Sequence, residues 1–372
     1  MGVRAGPVHS PRLCGCLPSG AAGRFRARRR LSGRQGLMVE PQAIRVAHLM
    51  RRPLPGYFSI EGQFELVRRF LPPRCHCETW ICPEFSRGVF PRLRNARAAA
   101  RVSADVWHVT GDVHYLTYHL PKARTLLTVH DCVFLHQTSG LRRWLIKKML
   151  YDWAVPRAAI VTVISQATRR ELLSLLPEVE PRIRHVPCCV SPEFTADPAR
   201  PWPRTPEVLM VGTKPNKNLV RMVRALAGLR CSLHIVGEPD GDLRAALAAS
   251  NLPWRNSPSL TAQGMAQAFR DCDLLAFAST YEGFGLPILE AQATGRPVLT
   301  SDAASMPEAS GGAAVLVNPL DVASIAAGFR RLIEDAGLRS ELIERGHANA
   351  ALHAAPRVAQ MYADIYDELN QA

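Results

Sequence analysis

The chain reads as an α/β protein in two doubly wound parallel-sheet halves, and three observations lead there. Apolar runs of strand length recur along it, each followed by a polar loop and then a helical pattern. Its 372 residues suit two domains of ordinary size. Between two series of such units, residues 191–206 hold five prolines and little that favours regular structure. The expected boundaries are an extension over 1–41, a first domain over 42–192, a linker over 193–206, a second domain over 207–354 and a last helix over 355–372. A hydrophobic fraction of 47% is ample for buried cores. No apolar run approaches the roughly 18–20 residues that span a bilayer.

Ten cysteines are scattered without a paired CxxC pattern, and we read them as reduced thiols of a cytosolic protein. Charge is uneven. Residues 1–40 carry eight arginines against one glutamate, residues 41–200 carry 23 basic against 13 acidic side chains, and residues 201–372 carry 15 against 18. A basic first half suits an anionic surface or an acidic acceptor. Nucleic acid is not expected as a partner, because no recognised motif is present and aromatics do not interleave with the basic residues. The extension lacks hydrophobic periodicity and the apolar core of a secretory signal. It is expected to be disordered, with Met38 as an alternative start and an arginine-rich arm for anionic lipid as the functional alternative.

In the first half, Ile44–Met50 is the first strand, and a helix is expected from about Ile60 to Leu71. The loop after the first strand of a doubly wound sheet faces the ligand crevice. Gly56 and Ser59 are therefore candidates for ligand contact, against an ordinary strand-to-helix turn. Asp105–His114 reads as a strand with a polar end. Thr125–Asp131 is a buried strand ending in His130 and Asp131, at the carboxyl edge where ligands bind; His108 and His114 are secondary candidates. Leu141–Leu150 is a basic amphipathic helix with Leu141, Trp144, Leu145 and Met149 on one face. It is expected to pack on the sheet with its lysines outward, an acidic membrane surface being the alternative. Ala159–Ile164 is a strand, Ser165 caps a helix from Gln166 to Leu176, and Ile183–Pro187 closes this half.

The second half restarts with the strand Glu207–Val211. The loop Gly212-Thr-Lys-Pro-Asn-Lys-Asn218 and a helix from Leu219 follow. Lys217 is the first candidate for a phosphate ligand and Lys214 the second. Later βα units include Cys231–Val236 and helices near 243–250 and 262–272. Asp271-Cys-Asp273 matches an Asp-x-Asp metal motif only superficially, since it opens a strand away from the carboxyl edge; no metal is expected. The run from Asp273 to Ala278 is a short buried strand leading into Ser279-Thr-Tyr-Glu-Gly-Phe-Gly-Leu-Pro-Ile-Leu-Glu290. Pro287 suits a helix start, and Gly295 its stop. Gly283 and Gly285 admit positive φ and close approach of a ligand. The free N–H groups of the helix start form an anion site. If a nucleotide diphosphate lies on those amides, Glu282 in the loop and Glu290, expected in the first helical turn, can each accept hydrogen bonds from a pair of neighbouring hydroxyls, one pair on a sugar and one on a ribose. A helix start merely decorated with acidic residues is the bland alternative. Ser305–Glu308 is expected to close over the nucleotide, residues 321–349 read as paired helices, and Ala355–Leu369 as the last.

Glu282-Gly-Phe-Gly-Leu-Pro-Ile-Leu-Glu290 resembles the paired-glutamate signature of retaining glycosyltransferase family 4. The resemblance covers roughly residues 43 to 370 and is densest in the second half. It implies the GT-B fold, two Rossmann-like domains facing a central cleft, with a last helix crossing back to the first. It further implies mannosyltransferase-like chemistry with a nucleotide-diphosphate sugar as co-substrate and no resident cofactor. The resemblance makes Glu282, Lys217 and His130 catalytic, His130 because Thr128-Val-His-Asp131 is similar to the family's strand-end His-Asp. Glu290, Gly283, Phe284, Gly285, Leu286, Lys214, Thr213 and Gly212 would bind the nucleotide sugar, with Asp131, Gly56 and Ser59 toward acceptor or donor phosphate. One departure is Asn216 before Lys217, where the family more often has arginine; Lys214 or Arg296 would then supply a second cation. The implied acceptor is a saccharide or lipid-linked molecule of bacterial surface polysaccharide or glycolipid synthesis. The implied place is the cytoplasm, with peripheral contact at the inner membrane's cytoplasmic face. A sugar-nucleotide epimerase of the same fold and a non-catalytic sugar-nucleotide or lipid-surface binding module are the alternatives.

Overall fold

The computed structural model describes residues 43–53, 59–136, 138–196 and 201–372. The arginine-rich extension, Gly56 and part of the linker lie outside the described residues. Two six-stranded sheets carry the chain, and every strand pair within them is parallel.

The first half runs β1 (Ile44–Met50), α1 (Ser59–Phe70), β2 (Cys75–Ile81), α2 (Val89–Ala99), β3 (Val106–Val109), β4 (Thr125–Val129), α3 (Val133–His136), α4 (Gly140–Ile146), β5 (Ile160–Val163), α5 (Gln166–Leu175) and β6 (Ile183–His185). The second half runs β7 (Glu207–Val211), α6 (Leu219–Leu226), β8 (Ser232–Val236), α7 (Gly241–Ser250), β9 (Trp254–Ser257), α8 (Ala262–Asp271), β10 (Leu274–Phe277), α9 (Leu286–Ala293), β11 (Val298–Ser301), α10 (Met306–Ser310), β12 (Val315–Val317), α11 (Val322–Glu334) and α12 (Ala336–Leu352). Last comes α13 (Ala355–Gln371). β4, β5, β10 and β11 are buried along their whole length, as strands covered on both faces must be.

Strand order is β2-β1-β3-β4-β5-β6 in one sheet and β12-β11-β10-β7-β8-β9 in the other. Each order reverses once, between β1 and β3 and between β7 and β10. Crevices open at the carboxyl ends of such switch points. In the second sheet this places the loop after β7 beside the loop after β10. Helix α13 returns to the first half, where Val358, Tyr362, Tyr366 and Leu369 complete the apolar layer formed by Val46, Phe64, Val106 and Leu126.

Two expectations need correction here. Leu141, Trp144 and Leu145 of α4 do not pack on the sheet: they are 72%, 52% and 45% exposed. Lys147 and Lys148 sit in the following π-helical turn, where both bind Asp152, at 2.6 and 2.9 Å. Leu150 and Tyr151 of that turn enter the core instead. Glu290 is the fifth residue of α9 and so lies in its second turn, because the helix starts at Leu286.

Candidate functional site

The loops after β7 and β10 meet through their side chains. Lys217 Nζ lies 2.8 Å from Glu282 Oε1, and Asn216 Nδ2 donates to the same oxygen at 3.1 Å. Both charged groups are mostly covered, at 19% and 16% side-chain exposure, so the attraction is screened less than at an open surface. Lys217 also stands 4.7 Å over the Phe277 ring, and its stem lies against Gly212. There φ is +81° and an added Cβ would come within 3.1 Å of the lysine chain. Thr213 packs on Gly237, and Lys214 is exposed at the head of the short turn holding Lys217.

The loop from Glu282 to Gly285 is pinned from below. Ser305 is buried, and its hydroxyl lies 2.9 and 2.8 Å from the carbonyl oxygens of Glu282 and Phe284. Ala304 before it sits at φ +50°, a left-handed backbone rarely adopted by a residue with a side chain. Ser305–Glu308 thus supports the loop. Gly285 caps α9 at φ +110°, a conformation glycine adopts readily. Leu286 opens the helix, whose first amides lack intrahelical acceptors. The Phe284 side chain turns into the core, against His353. Burial lifts the Glu290 carboxyl to about 8, against the pull of Lys217. Glu282, Glu290 and Lys217 therefore share one electrostatic neighbourhood.

Across the cleft, His130 follows β4. Its Nε2 lies 2.8 Å from the Thr110 carbonyl oxygen. A carbonyl only accepts, so Nε2 carries the proton and Nδ1 keeps a lone pair. Burial lowers the ring's pKa and favours the neutral form. Asp131 accepts the Val133 amide at 2.9 Å just before α3, while burial raises its carboxyl. Ser59 opens α1. His108 and His114 are buried, His108 bonded to Tyr366 and Thr128 and His114 to the Leu150 carbonyl, which places both in the interior.

Two sequence expectations change here. Arg296 is no second phosphate cation: it is 7% exposed and its Nε donates to the Phe269 carbonyl at 3.1 Å, at the amino edge of the sheet. Gly283 does not need positive φ, and its bare Cα faces the other half: an added Cβ would stand 2.5 Å from the His130 carbonyl oxygen. Sequence reading also missed Arg51, after β1, which binds Glu61 at 2.8 Å and Asp112 at 3.0 Å beside His130. Those three residues lie 10 to 61 positions apart, and only the crossover at the switch point gathers them.

Known proteins can be set against this geometry. The description "Glycosyltransferase Family 4" matches residues 59–194 and "Glycosyl transferases group 1" matches residues 205–335. The chain belongs to glycosyltransferase family 4. The O-antigen chain mannosyltransferase B of Escherichia coli is 27% identical over 293 residues, 72% of this chain and 75% of that protein. The MMP alpha-(1->4)-mannosyltransferase of Mycolicibacterium hassiacum is 32% identical over 148 residues, 37% of this chain but 36% of that protein. In fold, this glycosyltransferase is similar to Anabaena HepE, solved with UDP and glucose, at a TM-score of 0.69 and 16% identity, over 87% of this chain and 99% of that one. That likeness shows the GT-B fold of the two sheets. Among the described residues of this glycosyltransferase, no helix is long and apolar enough to cross a membrane.

Proposed function

We propose that this glycosyltransferase moves a hexose from a nucleotide-diphosphate donor to a saccharide or lipid-linked acceptor, with retention at the anomeric carbon, in the synthesis of a bacterial surface polysaccharide or glycolipid. The observation that carries the reading is the meeting of Lys217 and Glu282 at the second sheet's switch point, over the start of α9. The mannosyltransferase and O-antigen activities named for the relatives support the sugar and the acceptor class, and HepE, solved with UDP and glucose, supports the donor class.

In this reading the donor diphosphate lies on the amides of Gly283–Leu286 and draws Lys217 away from Glu282. The C1–oxygen bond of the donor breaks, its electron pair leaves with the diphosphate, and Lys217 with the helix-start amides stabilises that charge without a divalent cation. Glu282, freed from the lysine, accepts hydroxyls of the transferred sugar. Glu290 takes the ribose diol, with Gly212, Thr213 and Lys214 lining the nucleotide. From the first half, His130 offers its Nδ1 lone pair to the sugar, and Arg51 with Asp112 borders the acceptor. The acceptor hydroxyl bonds C1 and releases its proton to the departing diphosphate. Exposed Leu141, Trp144 and Leu145, with Arg142 and Arg143 between them, suit contact with an anionic membrane surface at the cytoplasmic face.

The deciding experiment incubates purified protein with UDP- and GDP-sugars, with and without acceptor and with a chelator. Acceptor-dependent release of nucleoside diphosphate that survives chelation supports the reading. Conversion of the donor sugar without acceptor would make the protein an epimerase, and no turnover of any donor would make it a binding module.

A further inference from the structure

The glycine-rich loop is gripped by a second set of contacts that phosphate and sugar binding do not require. Ser165, Thr168 and Glu171 stand three residues apart at the cap and first turns of α5, and so form one stripe on its face. Ser165 Oγ donates to the Gly283 carbonyl at 2.8 Å while accepting the Thr168 amide at 3.0 Å. Thr168 Oγ1 lies 3.1 Å from the His130 carbonyl oxygen and 3.4 Å from that of Gly283. Tyr281 Oη donates to Glu171 Oε2 at 2.8 Å and accepts the Cys132 amide at 3.4 Å. The other Glu171 oxygen bonds the His136 ring, which lies against Tyr281. Next to the stripe, the Gln166 amide donates to the Glu308 carboxylate at 2.7 and 3.0 Å.

Every one of these bonds to residues 281–308 joins the two halves, and each disappears if the cleft opens. Those made by Ser165, Thr168, Glu171 and Cys132 end on the backbone and ring that flank Glu282 and leave its carboxylate to Lys217. Gly283 permits the approach, since its missing Cβ is what lets the loop reach the His130 carbonyl.

We propose that the α5 stripe is a closure clasp. It sets Glu282 of the second half in register with His130 of the first, and so ties turnover to closure of the cleft. Ser165, Glu171 and Tyr281 are positioning residues in this scheme. The proposal rests on the glycosyl-transfer reading and adds to it how the two halves are aligned.

The test uses Tyr281→Phe, which removes one oxygen and keeps the ring. Hydrogen–deuterium exchange in peptides covering 163–170 and 279–286 should quicken. Affinity for UDP or GDP should stay within about twofold, because the phosphate ligands of the second half are untouched. The kcat of transfer should fall about tenfold, the scale of one lost hydrogen bond, at nearly constant donor KM, with donor hydrolysis rising relative to transfer. Glu171→Ala should match that variant, whereas Glu171→Gln, which still accepts the tyrosine proton, should recover most of the rate. Unchanged exchange and rate in Tyr281→Phe would overturn the proposal. So would a parallel fall of nucleotide affinity and kcat, or a Glu171→Gln variant as impaired as Glu171→Ala. Should the wild-type protein turn over no donor, the transfer reading fails by itself, while the exchange comparison still decides the clasp.

Discussion

Lys217 and Glu282 hold each other at 2.8 Å, so each is preorganised by the group it releases when the donor binds. A diphosphate carries more charge than one carboxylate and offers more acceptors, which is why it can draw the lysine away. Lys217→Ala should lower kcat by about 10²–10³, the loss typical of one fixed donor at a developing charge, and Glu282→Ala, which removes the acceptor of the sugar hydroxyls, should lower it comparably. The circular dichroism spectrum should stay that of the wild type. Normal transfer rates in either purified variant would refute their roles. Glu290 makes a different prediction, about pH. Its carboxyl is raised by burial to about 8, so the folded protein holds a proton that the unfolded chain has already lost above its ordinary range. Where the folded state binds more protons, stability falls as pH rises. Wild-type stability should therefore decline between about pH 5 and 8, at up to about 1.4 kcal/mol per pH unit. Glu290→Gln cannot lose that proton, so its Tm should gain on the wild type across this window. Parallel Tm profiles for the two proteins would contradict the assignment.

At the scale of elements, the strand–loop–helix units were legible because buried parallel strands are continuous apolar runs and their loops carry glycine, proline and polar residues. The Ser165 cap and the Gly295 stop were legible too; Gly295 adopts φ +72° just past α9. β2 escaped because it is an edge strand whose side chains are largely exposed, leaving no apolar run to see. β12 has three residues, too few for any period. The candidate site was half visible for a related reason. Lys217 and Glu282 sit in loops whose patterns mark a crevice, whereas Tyr281, Glu171, Arg51 and Asp112 look ordinary until the sheets bring them together. α4 shows the limit most plainly, for periodicity reveals an apolar face without saying what covers it. Here the protein's own core does not, and Arg142 and Arg143 lie between exposed Leu141 and the exposed pair Trp144 and Leu145. Trp144→Glu with Leu145→Glu should reduce co-sedimentation with vesicles containing anionic lipid at least about tenfold, since burying such side chains is worth roughly 1.5–3 kcal/mol each. Transfer to a water-soluble acceptor should be unaffected. Equal sedimentation of variant and wild type would remove the membrane from this account.

At the scale of the molecule, the last helix belongs to the half that is made first. α13 lays Val358, Tyr362, Tyr366 and Leu369 on the sheet face carrying Val46, Val106 and Leu126, so that face is incomplete without α13. The polar groups there raise the stakes. Tyr366 Oη lies 2.8 Å from both His48 Nε2 and His108 Nδ1, and His108 Nε2 continues at 2.7 Å to Thr128, which bonds Thr162 at 2.7 Å. Burial keeps both imidazoles neutral. A hydroxyl has one proton to give, so Tyr366 donates to one ring and accepts from the other, which couples the two tautomers through the chain of bonds. Tyr366→Phe would leave two buried ring nitrogens without partners, and each costs about 1–3 kcal/mol. The surface pairs of Arg74 with Asp364 and Asp367 touch the same helix in open solvent, where such pairs are worth about 0–1 kcal/mol. Chemical denaturation should therefore separate the two variants, with Tyr366→Phe losing at least about 2 kcal/mol and Arg74→Ala less than about 1. If the order came out reversed, surface charge rather than the buried network would be what fastens α13 to the first half.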